Sequence, residues 1–311
     1  MPSNHYQPGY IDLFATGELE DRMTKAESLL NRCTVCPREC HVNRLNDEMG
    51  FCKTGSHAQV SSYGPHFGEE PELVGRSGSG TIFISNCNLA CQFCQNYAIS
   101  QCGHGEEVSA EKLANMMLSL QRQGCHNINI VSPSHVVPQI LKSLEIAAAH
   151  GLRIPLVYNS GGYDSVDTLK LLNGIIDIYM PDAKYGRDEV ANVLSHAPDY
   201  VPIMNFALKE MYRQVGDLVV EDGIAVRGMI IRHLVLPNNM ANSEIVMNFI
   251  SKEISQNSYV NIMAQYRPTW HVIDDIQNPA FGMIRRPITN EEFQYAIKCA
   301  RDLGLHRGFR D

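Results

Sequence analysis

No stretch of this 311-residue chain approaches about 18 uninterrupted apolar residues, so a membrane-spanning helix is not expected. The opening MPSNHYQPGYIDLF lacks the basic-then-apolar pattern of a secretory signal, so a cytoplasmic location is expected. Basic residues are few, 26 against 34 acidic, for a net charge of −8. A general grip on nucleic acid needs a basic surface, so no nucleic-acid partner is expected, although a local basic pocket is compatible. Fixed-period repeats and low-complexity tracts are absent. So is the cluster of two histidines and a carboxylate that a zinc hydrolase would need. The length suits two domains or one α/β barrel, and either can bury a sizeable core.

Cysteine is abundant instead, with ten in the chain. Clustered cysteines in a cytosolic chain point to metal binding rather than disulfides. Cys87, Cys91 and Cys94 lie in TIFISNCNLACQFCQNY with spacing C-x3-C-x2-C. An iron–sulfur cubane normally takes four protein ligands, so three leave one iron open to a substrate or cofactor. The run TIFIS is short, apolar and β-branched, and reads as a buried strand. The cysteine loop then hangs from a strand's carboxyl end, where α/β barrels place their sites. The competing readings are scattered buried thiols or a zinc site, for which His104 is the nearest fourth ligand.

A second group, Cys33, Cys36, Cys40 and Cys52, is spaced C-x2-C-x3-C-x11-C. Four thiolates can close a tetrahedral site, and Pro37 and Gly50 supply turns around it. A zinc ion and a second 4Fe–4S cluster fit equally, and neither is required. His41 is a further candidate ligand that reads as a surface residue. Cys125 and Cys299 read as packing residues, and Cys102 is an outlying candidate for the site.

Residues 18–32 read as a helix and 61–80 as a loop rich in Gly, Ser and Pro. From residue 81 apolar strands alternate with amphipathic helices. Core strands are expected at 81–86, 127–133, 154–160, 175–181, 228–236 and 259–266. That pattern predicts an α/β fold with a helix-covered parallel sheet. The expected division is 1–78 for an N-terminal helix and cysteine module, 79–270 for the sheet domain, and 271–311 for a helical extension.

With Phe93 just before its last cysteine, the C-x3-C-x2-C motif resembles the radical S-adenosylmethionine (SAM) superfamily. The resemblance implies a 4Fe–4S cluster on Cys87, Cys91 and Cys94, whose open iron chelates the amino and carboxylate groups of SAM. One electron then cleaves SAM to methionine and a 5′-deoxyadenosyl radical that abstracts hydrogen. It also implies an open (β/α)6 partial TIM barrel, here preceded by the small N-terminal cysteine-rich module. CPREC, GFC, HFGEEP, YMPDAKY and RHLVLP look like the pyruvate formate-lyase activating enzyme-like branch, over residues 33–266. For that branch the expected partner is a glycyl radical enzyme, the expected donor a reduced flavodoxin or ferredoxin, and the setting poor in oxygen. Two alternatives stand beside it: radical modification of a small molecule or peptide, and a non-catalytic iron–sulfur electron-transfer protein.

Polar residues at strand ends complete the expected site. Asn96 and Tyr97 follow the cysteine loop. Ser132, Pro133, Ser134 and His135 replace the family's usual Gly-Gly-Glu-like stretch, which removes its acidic side chain. Asn159 and Ser160 are placed to hydrogen-bond the cofactor, and Gly161 and Gly162 admit close backbone. Asp182 and Lys184 alternate and share one side of an extended segment. Arg232 reads as a carboxylate clamp or, almost as well, as half of a buried structural ion pair, with His233 on the opposite face. Gln265 and Tyr266 are expected at the rim.

Overall fold

The apolar runs form a nine-stranded sheet in a computed structural model that describes residues 6–309. The strands are β1 (Ala58–His66), β2 (Ser79–Ile84), β3 (Glu106–Val108), β4 (Ile128–Val131), β5 (Leu156–Ser160), β6 (Ile178–Pro181), β7 (Val219–Glu221), β8 (Ile224–Leu234) and β9 (Tyr259–Met263). β2, β4, β5, β6, β8 and β9 pair in that order, all parallel. β1 and β3 add an antiparallel flank beside β2, and β7 pairs antiparallel with β8. The fold is therefore α/β with a mostly parallel central sheet. Helices connect the parallel strands, among them Ala110–Arg122, Val137–Ala149, Asp188–Ser195 and Tyr200–Val215. Ser109 caps the first of these, accepting from the Lys112 N–H at 3.2 Å.

The parallel strands are buried on both faces, which is why they read as continuous apolar runs. Inside the sheet's curve, Val157, Ile178, Met180 and Ile230 pack together with Leu73. Leu73 sits on the short helix Pro71–Val74, and its carbonyl accepts from Asn127 Nδ2 at 2.9 Å, just before β4. That helix closes the amino-terminal end, so open space is left at the carboxyl ends of the strands. Each such buried aliphatic side chain contributes roughly 1.5–3 kcal/mol.

Two expectations are corrected. Residues 61–80, read as a loop, contain most of β1 and the helix Pro71–Val74. β1 escapes notice because SSYGPH is polar and carries Gly and Pro. Beyond Val60 it pairs only with β2, so Pro65 costs no second ladder its N–H. This pairing runs across the boundary expected near residue 78. The helix read over 18–32 runs Glu18–Ser28, behind Gly17 in a left-handed conformation. The C-terminal segment holds the helices His271–Asp274, Pro279–Met283 and Asn290–Asp302. Among the described residues no helix is long and apolar enough to cross a membrane.

Candidate active site

Beyond β2 the backbone turns at Asn86, whose φ is 67°, and enters the cysteine loop. The loop is pinned from outside. Ala90 and Gln92 donate their N–H groups to Ser195 O (3.2 Å) and Leu194 O (2.8 Å), and Asn88 Nδ2 donates to Tyr163 O at 2.6 Å. Cys87, Cys91 and Cys94 consequently line one cavity of about 280 Å³. Each sulfur has a polar neighbour. Leu89 N–H meets Cys87 Sγ at 3.4 Å, Ser195 Oγ meets Cys91 Sγ at 3.0 Å, and Ser100 Oγ meets Cys94 Sγ at 3.1 Å.

Burial pushes the Cys87 thiol up to about 12, with Cys91 adding to the effect, and burial likewise raises Cys94. Such thiols ionise readily only beside a strong positive charge, which a metal centre provides. Among the described residues, no three His, Cys, Asp or Glu side chains stand ready to hold a single metal ion. A lone zinc would draw its sulfur ligands in to about 2.3 Å. A cubane takes each thiolate on a different iron and accepts a wider spacing. His104, the candidate fourth ligand of a zinc site, is exposed and lies outside the cavity wall. The donor set therefore fits a cluster with three protein ligands.

Opposite the cysteines stands a charged network. Asp182 binds Lys184 Nζ at 2.5 Å and Arg232 Nε at 2.8 Å. Arg232 Nη2 also donates to Asn159 Oδ1 at 2.7 Å, and its Nη1 lies 4.0 Å from Glu69. Burial alone would raise the Asp182 pKa, but the two cations outweigh it and hold the carboxyl below its usual range. Burial disfavours the Lys184 charge, yet Asp182 and Cys91 overcome this and raise its pKa. Gly162 is needed behind the network. Its φ is 76°, and a Cβ there would stand 2.1 Å from Asp182 O.

His233 occupies the other face of β8. Its Nδ1 lies 2.7 Å from Ala183 O, which can only accept, so Nδ1 carries the proton. Nε2 then accepts from Ser243 Oγ at 2.9 Å. Burial pushes this imidazole down to about 4. Unfolded, it titrates near about 6.5. Below that pH the unfolded chain takes a proton the folded chain refuses, so this contribution to stability is lost as pH falls from 6.5 toward 4. The stability advantage of wild type over His233→Gln should shrink by up to about 1.4 kcal/mol per pH unit across that window. Denaturant titrations at several pH values check this; a pH-independent difference would contradict neutral burial.

The same cavity wall includes Phe93, Asn96, Ser132, Asn159, Ser160, Asp182, Lys184, Arg232 and Gln265. Ser160 is a partial case, because its hydroxyl donates to the buried Asp164 at 2.7 Å. Ser134 does not line this wall. Ser132 takes a left-handed φ of 60°, and the one-turn helix Pro133–His135 swings Ser134 away from the wall onto Asp164 and Tyr158. His135 is also turned inward, with Nε2 3.2 Å from Ser85 O. Tyr266 is buried and donates to Ile284 O at 2.7 Å, while Tyr97 stacks on Trp270. Cys102 is exposed and off the wall. Sequence reading missed Ser100, Ser195 and Glu69. Ser195 comes from the end of a distant helix, and nothing local in the sequence marks it.

Cys33, Cys36, Cys40 and Cys52 lie outside this cavity. The two cysteine regions touch nonetheless. Arg38 Nε donates to Asn88 O at 2.8 Å, and Asn86 Nδ2 donates to Thr54 Oγ1 at 3.3 Å.

A model of the radical SAM superfamily matches residues 81–249, which spans the cysteine loop and most of the parallel sheet. The chain belongs to the radical SAM superfamily. It is also 32% identical over 309 residues to MJ0674, an uncharacterized protein of Methanocaldococcus jannaschii, covering 97% of this chain and 81% of that one. Among solved structures it is similar to HydG, a maturase of the FeFe hydrogenase, at 12% identity and a TM-score of 0.48. That match covers 73% of this chain and 49% of the HydG chain. Membership of the radical SAM superfamily makes this an enzyme that uses a 4Fe–4S cluster, SAM and a reductant.

Proposed function

We propose that this radical SAM enzyme binds its cluster on Cys87, Cys91 and Cys94 and cleaves SAM reductively in the adjoining cavity to begin hydrogen abstraction. The observation that carries the reading is the placement of these three cysteines, without a fourth, on a wall facing the Asp182 network. When bound, the cluster supplies the electron that breaks the SAM sulfonium bond.

The chain's own groups then have separate tasks. The Leu89 N–H and the hydroxyls of Ser100 and Ser195 steady the thiolates. Arg232 and Asn159 stand where they can take the cofactor's carboxylate and ribose oxygens, with Asp182 fixing the guanidinium and Lys184. Ser132, Asn96 and Gln265 offer further hydrogen bonds from the rim. Phe93, buried against Tyr266, keeps water from the cluster side. Ser134 and Ser160 act one step back, holding Asp164 beneath the wall.

The finer reading is a glycyl radical enzyme activator fed by a flavodoxin or ferredoxin-type donor. It rests on the resemblance of YMPDAKY and RHLVLP to that branch. Radical modification of a small molecule or peptide uses the same site with a different hydrogen donor. Cys33, Cys36, Cys40 and Cys52 are read as a second metal site, zinc or 4Fe–4S, in a module before the barrel unit of 79–270 and the extension of 271–311.

The test is anaerobic. The protein is reconstituted with iron and sulfide, reduced, and given SAM, and 5′-deoxyadenosine is quantified. Product that vanishes in Cys94→Ala is the expected result. A full, reducible cluster that yields no product with any hydrogen donor would favour the electron-carrier alternative.

A further inference from the structure

Arg44 is 1% exposed, a fully buried guanidinium in the N-terminal module. Its Nε and Nη2 donate to Gly55 O at 3.1 and 3.0 Å, and its Nη1 to His135 O at 2.8 Å. These acceptors are neutral carbonyls. Among the described residues no carboxylate pairs with it. A buried cation without an anion is strongly disfavoured, and charged side chains are almost never fully buried unless paired.

The groups able to supply that negative charge are sulfurs. Arg44 Nη1 lies 3.8 Å from Cys33 Sγ, and its charge also acts on Cys52. Cys36 in turn lies within electrostatic range of Cys33, Cys40 and Cys52. The backbone also closes around Cys33 and Cys40. Cys33 N–H donates to Val42 O at 2.9 Å, and Phe51 N–H points at Cys40 Sγ at 3.3 Å. Gly50 is required here, because a Cβ would stand 2.6 Å from Cys40 Cβ and 2.7 Å from its Sγ.

We infer that Cys33, Cys36, Cys40 and Cys52 hold a metal–thiolate centre of net negative charge, and that Arg44 is its built-in counter-ion. Four thiolates on an oxidised four-iron centre leave a net charge of about −2. A cluster, unlike a single ion, does not need its sulfurs drawn to one point, and among the described residues no three stand so. This rests on the reading of the four cysteines as a metal site. Arg44 also ties that site to the loop after β4, since it holds the carbonyl of His135, three residues past Ser132 on the cavity wall. Arg44 is thus a positioning residue, acting through the centre and the loop after β4.

The experiment uses the full chain with Cys87, Cys91 and Cys94 all changed to Ala, so that only the N-terminal centre remains. Zinc and iron are quantified per chain, and a chelator titration reads retention. One centre per chain is expected, and Arg44→Met should release it at about 10- to 100-fold lower chelator, as for loss of a ligand-supporting group. Arg44→Lys should restore part of the retention. In a Cys36→Ala/Cys52→Ala background, which cannot hold the metal, the sign reverses: Arg44→Met should raise the thermal midpoint by removing an unpaired buried charge. A chain without zinc or iron at these cysteines would overturn the metal reading itself. Metal retained equally by wild type and Arg44→Met, or no sign reversal, would overturn the counter-ion alone.

Discussion

Changing any one of Cys87, Cys91 and Cys94 to Ala reduces SAM cleavage to background, and the cluster's visible absorption falls with it. The three sulfurs share one cavity, and among the described residues no fourth cysteine or histidine lies on its wall to substitute. A cubane already short of one protein ligand would have two irons exposed, and it is lost on reconstitution rather than weakened. Burial adds to the effect. The thiols left behind have no reason to ionise once the metal charge is gone, since burial holds Cys87 up at about 12 and also raises Cys94. Iron content and 5′-deoxyadenosine yield, measured together on the three variants, check this. Cleavage surviving in any one of them would remove that cysteine from the ligand set.

Asp182→Ala is expected to have the next largest effect. The carboxylate bridges Lys184 and Arg232 in a wall where all three side chains are at least four-fifths buried. Removing one partner of a buried ion pair costs about 3–5 kcal/mol, because the other charge is left uncompensated. Arg232 keeps Asn159 and Glu69, so Lys184 is the more exposed to the loss. Part of the cost appears as lower stability and part as a collapsed binding wall. SAM affinity should fall by about 10- to 100-fold, which corresponds to about 1.4–2.8 kcal/mol. Asp182→Asn keeps the shape without the charge and should fall between the variant and wild type. Equilibrium dialysis with SAM under anaerobic conditions reads the effect, and unchanged affinity in a folded Asp182→Ala protein would take the residue out of the site.

What the sequence disclosed follows from how local each signal is. TIFIS and the other buried strands carry their apolar character in a few consecutive residues, so each parallel strand lies within its expected run or within a few residues of it. Strand ends were legible for the same reason. Asn159, Asp182 and Arg232 sit at or just beside the carboxyl ends of β5, β6 and β8, and converge because the strands are parallel and in register. β1 was hidden, since its pairing partners rather than its composition make SSYGPH a strand. Ser134 lies off the wall for a different reason. Its direction depends on one left-handed residue, Ser132, that no alternation pattern reveals. Ser195 and Glu69 reach the site only through tertiary folding, and a single sequence carries no trace of that. Arg44 is the clearest such case, because a lone arginine in a polar stretch looks like surface and is in fact 1% exposed.

The central claim is that Cys87, Cys91 and Cys94 hold a cluster with one iron open to SAM. The most direct test is the electron paramagnetic resonance spectrum of the anaerobically reduced protein before and after adding SAM. It is recorded in a Cys36→Ala protein shown to retain only the cluster on Cys87, Cys91 and Cys94. The account predicts a changed signal, since SAM becomes a ligand of the open iron. A spectrum that SAM leaves unaltered, in protein shown to carry a full and reduced cluster, would contradict it.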